Sequence, residues 1–197
     1  TKGRKRSNGR SKFYAHESCR KILMNQAAII EAFSNLPDSR RKAGQRHSQS
    51  LCLALFTLAI AAGNRGVLAV GDWIDIYSSD LIELLGLDKE TLPSYSTIRR
   101  VLMRLDPKTY SQCLARFFSI CPLAEEIIND DGKLQTDQAV TIVRAYLRKR
   151  GLILEQEPTD PRPYEFRDLP EVVKTLASQG VGFALDVISK QKEAKLE

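Results

Sequence analysis

The stretch "LCLALFTLAIAA", residues 51–62, constrains this chain more than any other. It is a run of twelve residues, too short to span a bilayer, which takes about 20. It has no polar stripe to turn toward water. A helix that is apolar all round has to sit at the centre of a packed core. Ser48 or Ser50 stands where an N-cap is needed and Gly63 where a helix can stop. The sequence therefore predicts a buried central helix with other helices around it.

Those helices can be placed from apolar spacing. Ile22, Leu23, Ile29, Ile30 and Phe33 recur near a period of 3.6 until Pro37, and a polar, basic loop "NLPDSRRKAGQRH" follows. After "GNRG", residues 67–78 with Trp73 and residues 80–87 read as short helices. In "LPSYSTIRRVLMRLDP", residues 92–107, Ser94 or Ser96 is the natural N-cap and Pro107 the stop. Ile98, Val101, Leu102 and Leu105 form one stripe there, with Thr97, Arg100 and Arg104 opposite and Arg99 at the edge. A short helix, a turn and a capped helix displaying arginines is the layout of a helix-turn-helix.

Beyond residue 125 the texture is β-branched. "VTIVRAYL" (140–147), "GLILEQ" (151–156) and "GVGFALD" (180–186) have strand length, and the basic turn "RKRG" joins the first two. Leu169, Val172, Val173 and Leu176 give a helical stripe between the second and third, ended by Gly180. The expected fold class is α+β: an all-helical N-terminal domain with helix-turn-helix character, then a partial α/β unit. The expected division is a flexible basic arm at 1–20, a helical domain at 21–122 and the α/β unit at 123–197.

Charge is distributed unevenly. The net charge is +6, yet the first fifty residues alone carry +9, which leaves −3 for the rest. A basic front end on a nearly neutral body suits a polyanion, because each lysine or arginine that meets a phosphate releases condensed counterions. Lys2, Arg4, Lys5, Arg6, Arg10 and Lys12 are expected to make nonspecific phosphate contacts, and Arg40, Arg41, Arg46 and His47 positioning contacts. Base-edge reading falls to Thr97, Arg99, Arg100 and Arg104. DNA binding of this kind needs no cofactor. The four cysteines contain no CxxC pair, and His16 with Cys19 lacks the further ligands of a structural zinc site, so neither a disulfide framework nor zinc is expected. No signal-peptide core or spanning segment is read, so the expected location is the cytoplasm, at the bacterial nucleoid, with no membrane partner.

Two acidic positions could do chemistry: the pair Asp130–Asp131 in "INDDGKLQ" and Asp186 after "GVGFAL". Carboxylates at strand ends can hold hard divalent ions that activate an attacking oxygen. Aspartates in such places also serve as turn formers and helix caps, and Asp-Gly is a common turn dipeptide.

The elements "LPDSRR", "RH" before an apolar helix, "GDW" and "PSYSTIRRVL" together resemble the N-terminal, DDE-transposase-associated domain of bacterial insertion-sequence transposases of the H-repeat-associated type. The resemblance covers roughly residues 28–118. In that family the domain precedes a ribonuclease-H-like catalytic domain, so the resemblance implies that the back half is a partial ribonuclease-H-like unit. It further implies that Asp131, in "DGK", and Asp186, in a segment followed by "ISKQK", are catalytic and ligate Mg2+. The third acid of the family belongs on a helix well beyond Asp186, and only eleven residues follow here.

The expected function is that of a transposase-derived DNA-binding protein without independent strand transfer, acting on DNA alone, with a second copy of itself or within a larger nucleoprotein complex. Two further readings stand beside it. One is a Mg2+-dependent transposase or nuclease whose missing acid comes from a partner. The other is a protein-interaction module.

Overall fold

The computed structural model describes residues 28–88, 91–121, 134–152, 168–182 and 184–185. Helix α1 (Ala28–Ala32) leads through the basic loop and a short 3-10 turn (Lys42–Gly44) into α2 (Gln49–Ala61). Helices α3 (Val67–Ile76), α4 (Ser78–Leu84), α5 (Tyr95–Leu102) and α6 (Pro107–Phe117) follow. Helices α7 (Thr136–Lys149) and α8 (Glu171–Ser178) complete the core. Among the described residues no helix is long and apolar enough to cross a membrane.

Helix α2 is the axis of the molecule, as its composition requires. Every residue from Leu51 to Ala61 is buried, and α1, α3, α5, α7 and α8 all pack against it. Thr57, the one hydroxyl in the run, donates to the Leu53 carbonyl at 2.8 Å and so enters the core satisfied. The Ser48 side chain accepts from Leu51 N–H at 3.1 Å, the expected N-cap. At the other end Gly63 takes φ 97°, donates to Ile60, and lets Asn64 N–H reach back to Ala59. This is a Schellman ending, for which a residue at positive φ is needed.

Two of the predicted stripes are observed intact. Ile98, Val101, Leu102 and Leu105 are all buried beneath α5, and Leu169, Val172, Val173 and Leu176 are buried on α8 and the turn before it. Pro107 behaves differently from the expectation. It opens α6 as a first-turn residue while Asp106 caps that helix, accepting from Thr109 N–H at 2.7 Å. Proline lacks only an N–H that a first turn leaves unused, so it starts a helix as readily as it ends one.

The α/β unit is not observed: among the described residues there is no strand, and the chain is helical on both sides of residue 125. Residues 140–147 lie inside α7. Ala139, Val140, Ile142, Val143, Tyr146 and Leu147 are buried with helical spacing, so the β-branched run serves a helix face. The supposed hairpin turn "RKRG" is the Schellman end of α7. Gly151 has φ 67°, and Leu152 N–H donates to the Leu147 carbonyl at 2.8 Å. Glycine at positive φ serves a hairpin and a helix end alike, so "RKRG" by itself does not separate them. Residues 181–182 and 184–185, read as strand, are helical as well. The rest of the segment 151–156, from residue 153 on, lies outside the described residues.

Helix α7 is locked to α6 by polar as well as apolar contacts. Tyr146 OH lies 2.9 Å from Ser111 Oγ and donates to the Ser111 carbonyl at 3.0 Å, in a fully buried setting. The Tyr146 ring stacks on Phe118 with centroids 5.9 Å apart. The Arg150 guanidinium donates to the Phe118 and Ser119 carbonyls, which satisfies acceptors at the end of α6. Tyr146→Phe leaves the buried Ser111 groups without their partner and is expected to lower unfolding stability by about 1–2 kcal/mol. Urea melts of the two proteins check this, and an unchanged midpoint would remove Tyr146 OH from the core's supports.

Candidate nucleic-acid interface

The loop between α1 and α2 is folded around one of its own arginines. The Arg40 side chain is 4% exposed and paired with Asp38 through Nη2 and Oδ2 at 2.8 Å. Its Nε donates to Asp38 Oδ1 at 2.8 Å, so the contact is bidentate. Further donors reach the carbonyls of Gly44 (3.1 Å) and His47 (2.9 Å). Gln45 Nε2 returns to the Arg40 carbonyl at 2.8 Å, and Gln49 on α2 holds the Pro37 carbonyl at 3.2 Å. A segment with this many cations would repel itself in an open coil. Internal pairing of Arg40 closes it into a fixed shape.

The electrostatics follow from this arrangement. The Arg40 guanidinium holds the Asp38 carboxyl below its ordinary range, with a smaller contribution from Arg104 on the far side of the cleft. Asp38 raises the pKa of Arg40 in turn. Beneath them Cys52 of α2 is buried, and desolvation pushes its thiol up to about 11 in spite of the nearby guanidinium. It is a neutral core residue at physiological pH.

Between this loop and α5 lies an open cleft of about 420 Å³. Gly44, Arg46 and His47 border it from the loop, Thr97 and Arg100 from α5, and Arg104 from the turn that follows α5. Thr91, Leu92 and Ser94 close the end where the chain enters α5. Among the described residues lining it there is no carboxylate. Ser94 has the extended conformation of an N-cap, but its hydroxyl faces those of Ser96 (3.1 Å) and Thr97 (3.3 Å), so a group of hydroxyls stands at the mouth of the helix. Arg100 Nε donates to the Ser96 carbonyl at 3.1 Å, which braces the side chain along its helix.

Close packing holds α5 in place. A Cβ at Gly71 of α3 would come within 2.8 Å of Tyr95 Cβ, so the two helices meet at a point where only glycine fits. The stripe of α5 is fully buried, which fixes the rotation of the helix and therefore which of its residues border the cleft.

Residues far apart in the sequence are thus brought together: Arg40, Arg46 and His47 from one loop, Thr97 and Arg100 from one helix and Arg104 from the turn after it share a single cleft. Arg41 and Arg99 are exposed but lie away from its lining. Arg40 lines the cleft as part of the loop's frame, with its donors engaged inside the protein. Lys2, Arg4, Lys5, Arg6, Arg10 and Lys12 lie outside the described residues, as do Asp131 and Asp186. Sequence reasoning passed over Asp38 and the hydroxyl group at Ser94 and Ser96 as parts of this site. An aspartate two residues before an arginine, in "LPDSRR", was the available sign of an internally paired loop.

The cleft falls within a recognised domain. Residues 30–118 match the family described as DDE_Tnp_1-associated. The chain is also similar to "H repeat-associated putative transposase YhhI" of Escherichia coli (strain K12), 23% identical over 180 residues that cover 86% of this chain and 47% of that protein. "Putative protein YbfL" of the same strain matches to the same extent. "Putative transposase YncI", also from strain K12, is 24% identical over 196 residues, covering 88% of this chain and 77% of that protein. The resemblance to transposases of the H-repeat-associated type is therefore borne out. The chain spans about half the length of the first two of these relatives. No solved structure matches it.

The Asp38–Arg40 pair makes the loop sensitive to acid. Because the folded pKa of Asp38 is depressed, its stabilisation is complete above the unfolded value, about 4, and is lost as pH falls through the folded value. Asp38→Asn is expected to cost about 2 kcal/mol at neutral pH and to flatten the decline of stability below pH 4. Thermal melts across pH 2–7, as rough bounds on that window, would show it; parallel curves for both proteins would mean that the pair does not support the loop.

Proposed function

We propose that this chain is the DNA-binding part of a transposase-related protein, engaging DNA alone or within a larger nucleoprotein complex. The observation that carries this reading is the convergence of Arg46, Arg100 and Arg104 on one cleft whose described lining has no carboxylate. Cations gathered on a concave surface with hydroxyls beside them suit phosphate groups. The names of the relatives support the same reading, since transposases act on DNA. The basic segment at 1–12 would add nonspecific contacts, and α5 would act as the recognition helix.

The reading predicts binding that weakens steeply with salt. About three phosphate contacts correspond to a log–log slope near −2.7 and roughly a 40-fold loss of affinity between about 50 and 200 mM salt. Fluorescence anisotropy on mixed duplexes measures this directly. An affinity indifferent to salt would refute phosphate contact by these arginines.

A second reading concerns catalysis, and the word transposase in the relatives' names is what supports it: a Mg2+-dependent strand transfer in which Asp131 and Asp186 would hold the ion and a partner would supply the missing acid. Carboxylates are suitable ligands for magnesium, while among the described residues no group of three or more His, Cys, Asp or Glu is placed to hold a metal. On this reading, DNA is nicked only with Mg2+, and Asp186→Asn abolishes nicking while leaving DNA affinity within about twofold. Retention of nicking by Asp186→Asn would exclude that residue as a ligand.

A further inference from the structure

The arginines of α5 are not equivalent. Thr97 and Arg100 stand three residues apart on one face of α5, and Arg104, in the turn just beyond the helix, borders the same cleft. Arg99 is rotated by about 100° from Arg100 and is exposed away from the cleft lining. The difference is set by the burial of Ile98, Val101 and Leu102, which leaves the helix no freedom to turn.

A base edge lies at the floor of a DNA groove, so the side chain that reads it must project from a convex surface. Arg100 and Arg104 border a concavity instead, with Gly44, Arg46 and His47 of the loop as the opposite wall. What enters a concavity must project from the DNA. On a duplex the projecting, charged element is the phosphate ridge. The cleft, at about 420 Å³, falls within the size range of small-ligand sites. Thr97 and Ser94 add hydroxyl donors at its edge, and Asp38, the carboxylate near Arg104, is already neutralised by Arg40.

The geometry points to a division of labour along α5 and the turn that follows it: Arg100 and Arg104 hold one backbone phosphate seated in the cleft between this segment and the 38–47 loop, and base reading by arginine is left to Arg99. This assignment rests on the DNA-binding reading above and refines it. It makes the cleft a positioning site, indifferent to sequence, that sets the register of the helix on the duplex.

The test compares Arg99→Ala, Arg100→Ala, Arg104→Ala and Arg100→Lys in the full chain, each checked for an unchanged thermal midpoint. Affinities are measured on a preferred duplex selected from a random pool and on its scrambled counterpart. Arg100→Ala and Arg104→Ala are expected to weaken both duplexes by the same factor and, because they share one phosphate, to reduce the salt slope by about one at most, singly or together. Arg100→Lys should retain most of the affinity, because an ammonium serves a phosphate as a point charge but cannot replace a bidentate guanidinium at a base edge. Arg99→Ala should instead narrow the ratio between the two duplexes. If Arg100→Ala or Arg100→Lys collapses that ratio by tenfold or more, Arg100 reads a base and the assignment is overturned.

A second measurement separates this inference from the reading beneath it. Titration of inorganic phosphate into the wild-type protein, followed by amide chemical shifts, should perturb Gly44 and Thr97 locally, and Arg100→Ala should abolish the effect. No local perturbation in a protein that still binds duplex overturns the phosphate site alone. Local perturbation in a protein that binds no duplex overturns the DNA reading, and with it the assignment to a backbone phosphate, while showing that the cleft takes a free oxyanion.

Discussion

A helix without a polar face can be stable only when wrapped on every side, and the rest of this structure depends on meeting that demand for α2. Five helices drawn from both halves of the described chain supply the wrapping. Burial of its side chains from Leu51 to Ala61 stabilises the fold at roughly 25 cal/mol for each Å² of apolar surface removed from water. Because α7 and α8 contribute to it, one continuous core runs from Ile29 to Ala184. The core extends beyond the stretch matched by the DDE_Tnp_1-associated family, residues 30–118.

The basic surface is a by-product of the same wrapping. Helix α5 is pressed onto α2 and α3, with Gly71 allowing the close crossing at Tyr95, and its buried stripe decides which arginines face the 38–47 loop. The loop in turn is shaped by Arg40, whose guanidinium is turned inward to Asp38 and two backbone carbonyls. One cation taken into the interior thus shapes the loop that carries Arg46 and borders the cleft. Arginine suits this inward role because its planar fork satisfies a carboxylate and several carbonyls at once, and it stays charged throughout.

Much of the helical framework was legible because its signals are local. The Ser48 cap, the Gly63 ending, the stripes of α5 and α8 and the centrality of 51–62 each depend on residues within a few positions of one another. The misreading of 140–147 came from β-branched residues whose spacing, counted with Ala139, Tyr146 and Leu147, is helical. The hairpin at "RKRG" failed for a related reason, since a glycine at positive φ does not say whether a strand or a loop follows it.

The sequence by itself determined that the core is helical around residues 51–62, that the front of the chain is basic, and that α5 displays arginines on one side, because periodicity and charge are properties of short segments. Only the tertiary structure decided that Arg46 and His47 meet Thr97, Arg100 and Arg104 across one cleft, that Arg40 is turned inward, and that Arg99 stands apart. Those facts depend on the rotation of α5 about its axis and on the path of a loop some fifty residues earlier in the chain. Both are set by packing against α2 and α3, which no local pattern encodes.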